Sequence, residues 1–155
     1  MATAKHTASI FTLGYEGTDI DHYIGKLLNH RVVALVDVRK NAISRKRGFS
    51  KTALSERLAR AGITYYHFPD VGIPSEMRKG LKVSDPDTYS VLFEYYDNEI
   101  VPKARDTVDT IKQIATEQER IAITCFEADH RFCHRHRLTK AMEDDQEFSG
   151  SISHI

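Results

Sequence analysis

The chain predicts a single three-layer α/β domain, with a mostly parallel sheet of about five strands and helices on both faces. Three observations carry this prediction. Apolar, β-branched runs alternate with segments whose apolar residues recur at helical spacing, in the order β-α-β-α-β-α-α-β-α-β. The run Val32-Val33-Ala34-Leu35-Val36-Asp37-Val38 is continuous rather than alternating, as a strand buried on both faces requires. The 155 residues, 41% hydrophobic and 28% charged, suffice for one core and show no repeat, linker or low-complexity tract.

Each element follows from local chemistry. Residues 1–8 are short, polar and mildly basic, and read as a frayed start to one domain spanning 1–155. Residues 9–13 read as the first strand, ended by Gly14. Thr18 is the expected cap of a first helix carrying Ile20, Ile24, Leu27 and Leu28. The second strand covers 32–38. Ser50 can cap a helix with Leu54 and Leu58 on its apolar face, and Gly62 fits the position just past its end. Residues 63–68 form a third strand, stopped by Pro69. Residues 70–87, with Gly72, Pro74, Gly80 and Pro86, read as a long loop, and loops of that length are usually functional or mobile. A Tyr- and Phe-rich helix over 88–98 follows, then one with Pro102 in its first turn that runs to about Gln118. A buried strand over 121–126, a helix from about Phe132 and a short strand over 150–155 complete the order.

Bulk properties exclude several classes. Lys and Arg balance Asp and Glu, so the net charge is zero and no bulk field drives the chain toward nucleic acid or membrane. No apolar stretch approaches the roughly 20 residues that span a bilayer. Two cysteines are too few for a disulfide framework, and nothing at the N-terminus reads as a signal peptide. A cytoplasmic, reducing location is the resulting expectation.

In such a fold the strand C-termini share one edge of the sheet, where open α/β proteins place their sites. Polar residues follow each of the first four strands: Tyr15 and Glu16, then Asp37 and Arg39, then His67 and Asp70, then Cys125 and Glu127. Asp37 lies inside an apolar run, where a carboxylate is rare unless paired. It reads equally as a structural partner of an arginine and as a catalytic group. Residues 39–51 hold Arg39, Lys40, Arg45, Lys46, Arg47 and Lys51 with no acid, and Ser44 and Ser50 add hydroxyls. This loop suits phosphate or nucleic-acid backbone contacts, or is simply a solvated basic loop. Phe49 within it reads as an anchor to the core.

The richest segment is Cys125-Phe126-Glu127-Ala128-Asp129-His130-Arg131-Phe132-Cys133-His134-Arg135-His136-Arg137. Arg131, Arg135 and Arg137 crowd the start of a helix, against its dipole, so an anion or an acidic side chain is expected beside them. His134 shares the apolar helix face with Leu138 and Ala141, and so should point at the sheet as an acid–base group or a satisfied core histidine. Cys125, His130, Cys133, His134 and His136 are enough ligands for zinc, but their spacing is not that of common structural sites. No metal or cofactor is therefore assigned, and a Cys125–Cys133 disulfide reads only as a transient redox state. Cys125 to Arg131 has the Cys-x5-Arg spacing of cysteine phosphatases, yet the loop interior lacks glycine, and Glu127 and Asp129 would repel a phosphate dianion.

Taken together, these pieces resemble the family called domain of unknown function 488, with a distant rhodanese-like flavour in Val36-Asp37-Val38-Arg39. The resemblance rests on Thr12-Leu13-Gly14-Tyr15, Leu35-Val36-Asp37-Val38-Arg39, Ser44-Arg45 with Phe49, Gly62-Ile63-Thr64-Tyr65-Tyr66-His67, Cys125-Phe126-Glu127 and Cys133-His134-Arg135, in that order. It implies a compact cytoplasmic α/β domain. It also implies that Asp37, Arg39, Ser44, Arg45, Glu127, Cys133, His134 and Arg135 belong to the family signature. The family name supplies no reaction. The extra His and Arg residues around Cys133 depart from its pattern.

The expectation is an enzyme acting on an anionic small molecule, or on a nucleotide or nucleic-acid component, at the C-terminal edge of the sheet. Asp37, Glu127, Cys133 and His134 are its candidate catalytic residues. Tyr15, Arg39, Ser44, Arg45 and Arg135 are its candidate binding residues. Two alternatives stay open: a nucleotide or nucleic-acid binding module without chemistry, and a cysteine-dependent phosphatase or sulfurtransferase-like enzyme.

Overall fold

The computed structural model describes residues 7–79 and 86–155. Its strands are β1 (Ala8–Gly14), β2 (Ala34–Asp37), β3 (Thr64–His67), β4 (Arg120–Cys125) and β5 (Gly150–His154). They form one sheet in the order β3-β2-β4-β1-β5, with every neighbouring pair parallel. The helices are α1 (Ile20–Asn29), α2 (Lys51–Arg60), α3 (Pro86–Tyr95), α4 (Val101–Lys103), α5 (Arg105–Gln118) and α6 (Arg135–Glu143).

Side chains alternate across a strand, so each strand feeds two cores. Ile10, Val36, Ile121 and Ile123 meet Leu92 of α3, Ile111 of α5 and Leu138 of α6 on one face. Phe11, Leu13, Leu35 and Ala122 meet Tyr23 and Leu27 of α1 and Leu54 and Leu58 of α2 on the other. Full burial of each such aliphatic side chain contributes roughly 1.5–3 kcal/mol. The result is the three-layer α/β domain the alternation predicts.

Several boundaries move for local reasons. Ala8 is buried and pairs with Gly150, so the chain is ordered by that residue rather than frayed through it, while residues 1–6 lie outside the described residues. Asp19, not Thr18, caps α1, its carboxylate accepting from the His22 amide at 2.8 Å. Ser50 occupies the cap position of α2, but its hydroxyl is drawn backwards to the Ser44 backbone. Gly62 has φ +76, as the position past a helix end demands. The expected 70–87 loop contains the short turns Pro69–Val71 and Ser75–Arg78, while residues 80–85 lie outside the described residues. The aromatic helix continues into a wider turn at Tyr96–Ile100, and Pro102 sits in the short α4 instead of opening α5. Asp129 caps a separate turn, His130–Phe132, so α6 begins at Arg135 rather than near Phe132.

The strand ends diverge to opposite faces. β1 and β2 lead to α1 and α2 on one face, and β4, which lies between them, leads to α6 on the other. Loops that part in this way leave a crevice at the carboxyl ends of the strands.

Candidate functional site

The loop after β4 is held from two sides. On one side stands Gly14 at the end of β1, where a methyl group would overlap the Glu127 carbonyl. The missing side chain lets the Glu16 amide donate to Phe126 O at 2.9 Å and the Ala128 amide donate to Glu16 Oε1 at 3.2 Å. On the other side stands Arg135, only 1% exposed. It donates to Thr12 Oγ1 at 3.2 Å, to Ala128 O at 3.0 Å and to the Glu127 carbonyl. Burial pushes its pKa down to about 10, so it remains a cation at neutral pH. Arg135 therefore ties the loop backbone to β1.

Asp37 and Arg39 form a second closed unit. The Asp37 carboxylate accepts from Arg39 Nε at 2.9 Å, Arg39 Nη2 at 2.7 Å and Tyr65 Oη at 2.6 Å, and is fully buried. Arg39 Nη1 donates to Phe49 O at 2.6 Å and to Tyr15 Oη at 3.3 Å. Burial opposes the guanidinium charge, but hydrogen bonds and charge from Asp37 outweigh it and raise the pKa. Burial and the same carboxylate raise the Tyr65 phenol. The unit fixes the basic loop, whose Phe49 is buried and stacks on Tyr15 at 4.5 Å, in the anchoring role expected of it.

Between these two units lies Arg78, which the sequence reading did not single out. Its Nη1 donates to Glu127 Oε1 at 3.0 Å and its Nη2 to His134 Nδ1 at 3.0 Å. His134 Nε2 lies 2.9 Å from the Val38 carbonyl, so that nitrogen carries the proton and Nδ1 presents its lone pair to Arg78. Burial, then the Arg78 charge, pushes the His134 pKa down to about 3. The imidazole is neutral at physiological pH and orients Arg78.

Two cavities meet at Arg78 and Ile73. The smaller, about 90 Å³, is lined by Tyr15, Arg39, Lys40, Asn41, Ile73, Ser75, Arg78 and Phe126, with no acid among them. The larger, about 190 Å³, has Glu127 and His134 on one side and Ile73, Tyr89, Leu92, Phe93 and Phe132 around them. Gly72 lets the chain after β3 pass close to Lys40, since a methyl there would overlap the Lys40 backbone. A broader groove along α1, lined by Asp19, His22, Lys26 and His30, is a surface feature of that helix.

The expected residues divide accordingly. Tyr15, Arg39, Glu127 and His134 line the cleft, with Asp37 behind Arg39. Ser44 shapes the basic loop through the Lys46 amide, and Arg45 is exposed on that loop; neither lines either cavity. The helix-start arginines find internal acids, Arg131 with Asp129 at 2.7 Å and Arg137 with Asp97. Arg78 lies in the 70–87 stretch, whose length marks a functional or mobile loop, and that length is the one signal for it in the sequence.

Cys125 and Cys133 are joined as a disulfide, both buried. Arg135 Nη1 lies 3.0 Å from Cys125 Sγ, Glu127 Oε2 lies 3.6 Å from the same sulfur, and His134 Nδ1 lies 3.8 Å from Cys133 Sγ. Donor atoms of Cys125, Glu127 and Cys133 fall within 4.8 Å of one another. A guanidinium touches one of these sulfurs, and His134, beside the other, faces Arg78.

A parallel α/β domain with a polar cleft at the carboxyl edge of its sheet defines the class. Among the described residues no helix is long and apolar enough to cross a membrane. The chain belongs to the family described as Domain of unknown function DUF488, whose profile matches residues 19–142. The matched span holds the Asp37–Arg39 unit, Arg78, Glu127 and Cys133-His134-Arg135, and Gly14-Tyr15 precedes it. No curated protein and no solved structure matches the chain.

Proposed function

We propose that the protein is an enzyme acting on a small anionic molecule, with the anionic group held by Tyr15, Lys40 and Arg78 and the reacting part beside Glu127. One observation carries this reading: the cavity of about 90 Å³ between the ends of β1 and β2 and the Ser75–Arg78 turn is lined by three cations and several neutral donors, and by no carboxylate. An anion there gains charge-assisted hydrogen bonds without meeting a like charge. Its size suits a phosphate or carboxylate group. The adjoining cavity of about 190 Å³, apolar on most sides, supplies room for the remainder of a small substrate. Together they fall below the volume that usually encloses a drug-sized ligand. Arg45 and Arg47 are exposed and line neither cavity, so the basic loop reaches the cleft only through Arg39, Lys40 and Asn41. Glu127 is the acid–base group because among the described residues it alone brings a carboxylate into the cleft, with Arg78 and Cys125 as its neighbours.

The test separates binding from turnover. Inorganic phosphate and a series of small phosphate and carboxylate esters are titrated calorimetrically, and product is followed chromatographically. Glu127→Gln should bind within a few-fold of the wild type and lose turnover by about 100-fold or more. Binding by the wild type without product from any ester would favour the binding module. Equal turnover by Glu127→Gln would remove Glu127 from the chemistry.

A further inference from the structure

The disulfide stands in an environment built for a charged sulfur. Arg135 Nη1 lies 3.0 Å from Cys125 Sγ, while the rest of its guanidinium meets only a hydroxyl and two backbone carbonyls. Those acceptors are neutral, and a buried cation normally has an anionic partner. From the loop after β4, Glu127 faces Cys125 Sγ at 3.6 Å, but its carboxylate is already paired with Arg78 from the Ser75–Arg78 turn. His134 at the start of α6 is neutral, and Asp37 and Arg39 at the end of β2 cancel each other. On the Thr12 side, burial keeps His154 and His130 below their ordinary pKa. Asp129, whose charge also acts on Arg135, is paired with Arg131. Among the described residues two cations, Arg78 and Arg135, thus share one remaining carboxylate, and the pocket is short of one negative charge. A disulfide is neutral and leaves that shortfall; reduction to a thiolate at Cys125 fills it.

We propose that Cys125 and Cys133 are a redox-active pair, in which Cys125 is the thiolate that attacks a small hydroperoxide and Cys133 is the thiol that resolves it. The Cys125 thiolate attacks one peroxide oxygen, and the O–O bond breaks. The alkoxide leaves and takes a proton from solvent, giving an alcohol, or water from hydrogen peroxide, and Cys125 sulfenic acid. Cys133 sulfur then attacks Cys125 sulfur. The S–O bond breaks, and hydroxide leaves with the Cys133 proton as water. Two electrons pass from the cysteine pair to the peroxide, and an external dithiol restores the thiols by exchange. Neither sulfur lines the 190 Å³ cavity, but the Glu127 and His134 side chains that contact the two sulfurs wall it, so peroxide entering there has to pass between them.

The test uses the full chain reduced with dithiothreitol, and no anionic ligand, so its outcome is independent of the substrate reading. Iodoacetamide alkylation is followed by intact mass from acid to alkaline pH in Cys133→Ser and Cys125→Ser. The Cys125 midpoint in Cys133→Ser should lie at least one unit below the ordinary thiol value of about 8.5, and the Cys133 midpoint in Cys125→Ser should not. Midpoints are compared because restricted access slows both rates without moving them, while burial alone would raise both midpoints. Arg135→Gln in the Cys133→Ser background should move the midpoint upward, cutting the alkylation rate about tenfold at neutral pH. Stoichiometric hydrogen peroxide should convert the reduced wild type to the disulfide, and Cys133→Ser should stop at a sulfenic acid trapped by dimedone. An ordinary Cys125 midpoint, or thiols that survive peroxide, would overturn the proposal. Because removing a buried arginine can prevent folding, the comparison between the two single-cysteine variants with Arg135 intact decides the question alone.

Discussion

At the scale of single residues, the buried Asp37 shows how a candidate catalytic group can be fully spent on structure. Its carboxylate receives the Arg39 guanidinium and the Tyr65 hydroxyl, with none of its surface exposed. Removing one partner of a buried ion pair strands the other charge. Asp37→Ala should therefore lower stability by about 3–5 kcal/mol. Tyr65→Phe removes one hydrogen bond to a charged group and should cost about 1.5–3 kcal/mol. Urea unfolding of the two variants measures both, and a near-neutral Asp37→Ala would show that the pair is not the clamp described. The sequence made part of this legible, because a carboxylate inside an apolar strand demands a partner and Arg39 stood two residues away. It could not separate clamp from catalyst, since Tyr65 and the Phe49 carbonyl come from 28 and 10 residues away along the chain. Arg78 was hidden for the same reason: its partners lie 49 and 56 residues further on.

At the scale of elements, the loop after β4 is positioned by what β1 lacks. Gly14 allows backbone contact with residues 126–128, while Gly25, inside α1, has open space where a side chain would go. The two glycines should respond oppositely to the same substitution. Gly25→Ala should raise stability by up to about 1 kcal/mol, since alanine is the better helix former. Gly14→Ala should lower the melting temperature and weaken anion binding, because Glu127 and Phe126 must move. Thermal melts of both variants read the contrast, and a silent Gly14→Ala would refute the clamped loop. Sequence patterns found nearly every element here, yet misplaced ends wherever two capping groups competed. Asp19 outbids Thr18 because its carboxylate reaches the His22 amide, and Asp129 traps the Arg131 amide in a separate turn before α6.

At the scale of the whole molecule, the alternation of strands and helices foretold a parallel sheet but not its strand order. That order depends on long-range pairing, with β4 inserted between β1 and β2, and pairing of this kind leaves no local mark. The order matters because it gathers Tyr15, Arg39 and Glu127 at one edge. The packed molecule also disfavours protonation of four of its histidines. Burial is the first cause of the lowered pKa of His134, to about 3, of His154, to about 4, and of His130 and His136. The unfolded chain binds these protons near the ordinary histidine pKa of about 6.5, before the folded chain does. Stability should therefore hold above that pH and decline as pH falls from about 6.5 toward about 4. Urea midpoints across this range measure it; a flat profile would contradict the buried neutral histidines. His154→Gln should make the decline shallower.

The central claim is that Arg78 joins two cavities into one anion-binding cleft. Calorimetric titration of inorganic phosphate into the wild type and into Arg78→Ala tests it most directly. The wild type should bind phosphate saturably at one site, and a folded Arg78→Ala protein should lose that binding. Equal phosphate binding by both proteins, or none by the wild type, would contradict it.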